Sequence, residues 1–292
     1  MPEQNKFLSI FLLIILAIIW GTSFILVKRG LEVFSADEVG SLRIVAAAIF
    51  LIPPALIRLK EVKKSKFGKL LLTGLMGSFF PAFLFAIAQT RLESSLAGIM
   101  NGLTPIFTVL VGALFFNLKT TSRIMIGVVI GFAGSVLLIM AGSGGQMSNF
   151  NYYALFIIVA SMLYGINLNF IKFQLPDLKA LTITSWSVVL VGPFAAVYLF
   201  GFTDFIGKMQ TAPDAWKAMG MIVLLGIMST SLALILFNKL VKMATPLYAS
   251  SVTYLIPIVA VIWGVWDGET LLIGHYIGMA AIISGVYLAN RK

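Results

Sequence analysis

Apolar residues fall along this chain in ten blocks, each about the length that crosses the hydrocarbon layer of a bilayer. The blocks run at roughly 7–28, 37–57, 68–89, 94–116, 122–141, 152–173, 179–200, 217–238, 246–266 and 270–289, with short polar connections between them. The pattern predicts ten membrane-spanning helices and leaves only loops and tails outside them. The first block resembles a leader peptide in position alone. Its apolar core is longer, no small-residue cleavage site follows, and Lys28-Arg29 comes next, so it is expected to be a mature span.

Polar positions inside the blocks recur. Trp20-Gly21-Thr22-Ser23-Phe24-Ile25-Leu26-Val27-Lys28 closes the first block and returns 144 residues later as Tyr164-Gly165-Ile166-Asn167-Leu168-Asn169-Phe170-Ile171-Lys172. Residues 74–112 match 226–264 at an offset of 152, through identities that include Gly74/Gly226, Phe85/Phe237, Ala97/Ala249 and Pro105/Pro257. The loop 201–216 is the natural place for the residues that widen the offset. The second spans align poorly: either Pro53 matches Pro193 or Arg43 matches Trp186, but not both. Two copies of one unit are the reading. Five spans per copy is an odd number, so the second copy must sit upside down. The expected fold is an all-α polytopic membrane protein of ten transmembrane helices in two inverted five-helix repeats. Residues 1–145 form the first repeat and 146–292 the second, within one integrated membrane domain. Inverted repeats that meet at the bilayer midplane are the architecture of alternating-access carriers.

Composition narrows the class. With 60% hydrophobic and 11% charged residues and a mean hydropathy of +1.01, a soluble domain of this size could not cover its surface. The formal net charge of +10 invites a nucleic-acid reading, but the basic residues sit in short loops, where membrane orientation needs them. With a cytoplasmic N-terminus, fifteen of the 21 lysines and arginines lie inside, five lie outside, and Arg43 stands within a span. The expectation is a multi-pass protein of the cell (inner) membrane with both termini cytoplasmic, whose partners are the lipid bilayer and a small-molecule substrate, not nucleic acid.

Catalytic chemistry finds little material. There is no cysteine, His275 is the single histidine, and every acid falls in a loop or at a span end, so no dyad, triad or metal set is expected. Gly142, Gly144 and Gly145 lack the Lys-Ser/Thr of a phosphate loop. Neither an enzyme activity nor a cofactor or metal is expected.

The residues that carry a function are polar ones inside spans. Arg43 lies about one and a half turns into the second span, where charge is costly and functional by default. It would greet an anionic group, or else snorkel outward or pair with Glu38 or Glu93. Trp20 and Ser23 share one helix face, as do their echoes Tyr164 and Asn167; these faces are expected to line one cavity. Asn101 and Thr104 precede Pro105, and Tyr254 precedes Pro257, where a freed carbonyl opens the helix. Gly77-Ser78 and Ser229-Thr230-Ser231 occupy corresponding places and read as close-packing residues. Gly127, Gly131, Gly134, Gly274 and Gly278 read as helix-packing faces, or as a homodimer contact.

The chain resembles the EamA-like, ten-span branch of the drug/metabolite transporter superfamily. The likeness rests on Trp20-Gly21-Thr22-Ser23…Lys28, on Arg43 followed by Ala46-Ala47-Ala48, and on Ala97…Thr104-Pro105-Ile106-Phe107 with its counterpart Ala249…Ile256-Pro257-Ile258. One departure stands at the end of the fourth span, where an acid common in the family gives way to Asn117-Leu118-Lys119; Asp267 and Glu269 follow the ninth. The resemblance implies a secondary transporter that exports amino acids or related amphiphilic metabolites. From their own polarity and spacing, Trp20, Ser23, Asn101, Thr104, Tyr164, Asn167 and Tyr254 are expected to line its substrate cavity, with Arg43 adding anion attraction from outside. A passive uniporter or channel-like facilitator, or a carrier of drugs or other metabolites, is the alternative.

Overall fold

The computed structural model describes residues 3–116, 121–142, 151–243 and 252–290, which are almost wholly helical with no strand among them. Helix α1 (Glu3–Leu31) passes through a tight turn into α2 (Ala36–Ile57). A capping box fixes that entry, the Ser35 backbone N–H donating to the Glu38 carboxylate at 2.8 Å. Helices α3 (Phe67–Gly74) and α4 (Phe80–Gln89) are joined by a π turn over Leu75–Phe79. Helices α5 (Ser94–Met100) and α6 (Thr104–Phe115) are joined by a 3-10 turn over Asn101–Leu103. Then come α7 (Ser122–Gly142), α8 (Ala154–Gln174) and α9 (Ala180–Phe202). A short α10 (Phe205–Thr211) occupies the loop expected to absorb the extra residues. Helices α11 (Ala215–Leu225) and α12 (Ala233–Met243) flank a second π turn, Gly226–Leu232. Helices α13 (Val252–Trp266) and α14 (Ile273–Asn290) end the bundle.

Seven helical stretches among the described residues are long and apolar enough to cross a membrane: Leu8–Leu31, Ala36–Ile57, Lys64–Gln89, Ser94–Phe115, Ala154–Gln174, Ala180–Phe202 and Ala215–Phe237. The fifth, ninth and tenth expected blocks coincide with shorter apolar helices, Met125–Leu137, Leu255–Trp266 and Ile273–Gly285.

Proline accounts for two of the breaks. Pro81 has no N–H to give the Gly77 carbonyl, and Pro105 has none for Asn101. The ladder widens before the first and tightens before the second. The second π turn contains no proline. There the hydroxyls of Ser229-Thr230-Ser231 compete for backbone groups, Ser231 Oγ standing 3.3 Å from both the Gly226 and Ala47 carbonyls.

Side chains sort opposite to a soluble fold. Ile10, Ile14 and Ile18 on α1, Ile49 and Leu56 on α2, and Phe194 and Val197 on α9 are exposed, whereas Ser41, Thr73, Ser78, Ser161, Thr182 and Ser185 are buried. Two helix pairs run antiparallel on small residues. In the α2–α9 pair, Ala47, Ala48 and Leu51 pack on Val188, while Ile44 packs on Val191 and Ala195. In the α7–α14 pair, Gly134 meets Gly278 and Ala281, and Gly285 meets Gly127 and Gly131.

Charged contacts gather at the two ends of the bundle. One end holds Lys28, Arg29, Asp267 and Glu269, the Lys208–Glu38 pair at 2.7 Å and a bond from Asn151 to the Arg91 carbonyl. The other holds Lys66–Asp177 at 3.0 Å, with Glu61 between Arg58 and Lys179.

Candidate functional site

The two π turns face the helices that carry the repeated aromatic-glycine motif. From α1, the Trp20 indole N–H donates to the Ser229 carbonyl at 3.1 Å, and Ser23 Oγ lies 2.6 Å from Ser229 Oγ. The Trp20 ring rests 5.3 Å from Phe237. From α8, the Tyr164 ring stacks on Phe85 at 6.2 Å, and the Asn167 amide presses on Gly77, where any Cβ would collide with Nδ2. Asn167 is buried and its Oδ1 has no partner. A π turn projects side chains and carbonyls that a regular helix would engage internally, and such turns recur at functional sites.

These contacts repeat at the sequence offsets of 144 and 152. Ser23–Ser229 and Asn167–Gly77 are the same pair, as are Trp20–Phe237 and Tyr164–Phe85. Gly21 against Val259 corresponds to Gly165 against Phe107. Gly226 meets the Arg43 carbonyl as Gly74 meets that of Ser187. The last pair sets the register of the second spans: Arg43 corresponds to Ser187, one residue from Trp186. Matching Pro53 with Pro193 misleads because both prolines lie on exposed surface, where no packing fixes their depth.

Arg43 is the asymmetric element. Its Nε donates to Thr230 Oγ1 at 2.9 Å, and it makes no ion pair among the described residues. Glu38 is taken by Lys208, and Glu93 forms no ion pair among them, so neither supplies the counter-charge. Arg43 and Tyr164 lie within electrostatic reach of each other, and both are half-buried.

Thr104 Oγ1 donates to Asn101 Oδ1 at 3.4 Å, and Thr108 Oγ1 to the Thr104 carbonyl at 2.8 Å. Neither Asn101 nor Thr104 bonds to Trp20, Ser23, Arg43, Tyr164 or Asn167. Tyr254 belongs to α13, with its side chain outside the described residues. Asn169, which sequence reasoning passed over, ties α8 to α6 by donating to the Thr108 carbonyl at 2.8 Å. Ser229 and Thr230 were read as packing residues, yet they bond Trp20, Ser23 and Arg43. The signal was present: three hydroxyls in a row are unusual in an apolar block.

A second polar assembly closes the Lys28 end. Lys28 Nζ pairs with Asp267 at 2.7 Å and Glu269 at 2.8 Å, and Arg29 pairs with Asp267 and Glu32. Glu269 also accepts from the Ser94 N–H at 2.9 Å, Ser94 Oγ at 2.7 Å and the Ser95 N–H at 3.0 Å. The turn that delivers it needs Gly268, whose φ is +84°. Burial works against ionisation of Glu269, but the bonds from Lys28, Ser95 and Ser94 outweigh it and hold its pKa at about 2. Glu93 goes the other way. Burial and the charge of Glu269 raise its carboxyl above the ordinary range, against a smaller opposing pull from Lys28, and its Oε2 is buried without a partner.

A family model described as the EamA-like transporter family matches residues 7–140 and, a second time, 151–291. An uncharacterized transporter of Archaeoglobus fulgidus is 25% identical over 94% of this chain and 95% of its own. The uncharacterized inner membrane transporter YedA of Escherichia coli is 26% identical over 94% and 88%. A probable terminal-alkyne amino-acid exporter of Streptantibioticus cattleyicolor is 21% identical over 97% and 94%. One crystal structure superposes with a TM-score of 0.65 at 16% identity, covering 96% of both chains. That likeness speaks to the fold alone.

Proposed function

We propose that this chain, which belongs to the EamA-like transporter family, is a secondary carrier of small amphiphilic metabolites, amino acids and related compounds, working outward by alternating access. It is a multi-pass membrane protein. The ten helical blocks form two inverted five-helix repeats, residues 1–145 and 146–292, and the substrate site lies where their π turns meet α1 and α8. Trp20, Ser23, Arg43, Tyr164 and Asn167 line it, and Asn101, Thr104 and Tyr254 extend it along the fourth and ninth spans.

The observation that carries this reading is the set of mirrored contacts. Each joins a residue of one repeat to a residue of the other, and the exchange of roles is what a pseudo-twofold axis in the membrane plane produces. The family model matching twice along the chain supports it. The grouping of charged loops at alternate ends supports ten crossings with both termini on the cytoplasmic side. The outward direction and the amino-acid-like substrate are supported by the name of the Streptantibioticus relative. The closed assembly at Lys28, Asp267 and Glu269 favours a gated carrier over an open pore.

The test is counterflow in liposomes with a labelled amino-acid panel. Wild type should show saturable exchange, and Trp20→Ala and Tyr164→Ala should each lower it while retaining the fold. Non-saturating flux without exchange would replace the carrier with a pore. Unchanged kinetics in both variants would remove the site.

A further inference from the structure

We propose that the preferred substrate is an organic acid of net negative charge, its carboxylate held by Arg43 and its apolar body between the two aromatic pairs. This rests on the carrier reading of the same site.

A guanidinium carries five N–H donors and no acceptor. Arg43 uses one of them, from Nε to Thr230 Oγ1, and both terminal amino groups lack a protein acceptor among the described residues. No carboxylate of the described residues pairs with it, since the two acids placed to do so are bound elsewhere or face Glu269. An uncompensated cation inside a helical bundle is strongly unfavourable, so such residues are kept for a charge that arrives. The free edge of the guanidinium fits a carboxylate in two parallel bonds. An ammonium group, by contrast, has no carboxylate to meet: every acid lies in a loop or within a turn of a helix end.

The remaining surroundings suit the rest of such a molecule. Trp20 with Phe237 and Tyr164 with Phe85 supply apolar walls. The Asn167 amide, buried and unengaged, offers one neutral polar contact. Its mate by the repeat offset, Ser23, is already bonded to Ser229, and the mate of Arg43 is Ser187, which carries no charge. The site therefore has one cationic pole and no anionic one.

The experiment uses three compounds that share a phenyl body: 3-phenylpropionate, phenylalanine and phenethylamine. Binding of tritiated 3-phenylpropionate to the purified full chain in detergent is measured, with the other two as competitors. Flux of all three is followed in liposomes. The anion should bind at least about tenfold more tightly than the zwitterion, with the cation weakest. Arg43→Gln should erase that order, Arg43→Lys should keep part of it, and Thr230→Ala should weaken anion binding while preserving the order. Melting curves report folding, and if Arg43→Gln does not fold, Arg43→Lys and Thr230→Ala decide. Equal or tighter binding of phenylalanine, or an unchanged order in folded Arg43→Gln, would overturn the proposal. If phenylalanine is carried in preference, the organic-acid inference falls and the carrier stands. If folded wild type neither binds nor moves any of the three, both fall.

Discussion

Replacing Glu269 with glutamine tests how strongly the charge network at the Lys28 end holds the bundle. The carboxylate is buried and accepts from Lys28, both Ser94 donors and the Ser95 N–H. Those bonds overcome burial and move its pKa from an ordinary 4.5 to about 2. Each tenfold change in proton affinity corresponds to about 1.4 kcal/mol, so the ionised form contributes roughly 3 kcal/mol to folding at neutral pH. The sign is that of a carboxyl bound more weakly by protons when folded. Its stabilisation is complete above the unfolded value of 4.5 and drains away as pH falls toward 2. Glutamine keeps the shape and loses the charge. Melting of the detergent-solubilised full chain, followed by intrinsic fluorescence at pH 7, should drop by roughly 5–10 °C in Glu269→Gln. The gap should narrow on acidification and close near the lower limit of the titration. Equal melting temperatures at neutral pH, or a gap undiminished by acid, would refute the reasoning.

Four further outcomes follow from the geometry. Glu93→Gln should stabilise the protein above the ordinary carboxylate range, because the folded state holds that proton more tightly and loses stability as pH rises; a melting series across pH reads this, and a loss of stability would contradict it. Gly74→Ala drives a Cβ into the Ser187 carbonyl, a backbone atom that cannot yield, and should cost about 1–3 kcal/mol in melting. Gly77→Ala displaces only the movable Asn167 amide, so melting should change less while substrate binding falls. Because the chain has no cysteine, single cysteines at Lys64 and Asp214 can be labelled in intact cells, and they should react from opposite membrane faces.

The blocks, their helices and the faces bearing Trp20, Ser23, Tyr164 and Asn167 were legible because hydropathy and a repeated motif are local properties of the sequence. The place of Arg43 within the second apolar helix was legible for the same reason. The π turns were not. Gly77-Ser78 and Ser229-Thr230-Ser231 look like ordinary small residues until Pro81 and the competing hydroxyls are set against the hydrogen-bond ladder. The match of Arg43 with Ser187 needed packing, since the exposed prolines are free to sit at unlike depths. The union of Lys28 with Asp267 and Glu269 joins residues more than 200 positions apart, and nothing in local pattern pairs those particular charges.

Ala48 and Gly192 stand 144 positions apart and meet each other, a Cβ on the glycine falling 2.5 Å from that of the alanine. Under the proposed pseudo-twofold relation of the two repeats, a residue that faces its own counterpart sits on the axis itself. A rocking bundle would turn about this crossing as a fulcrum, loading it alike whichever mouth opens. A side chain as small as one methyl at position 192 would therefore press on every stage of the cycle, not on one.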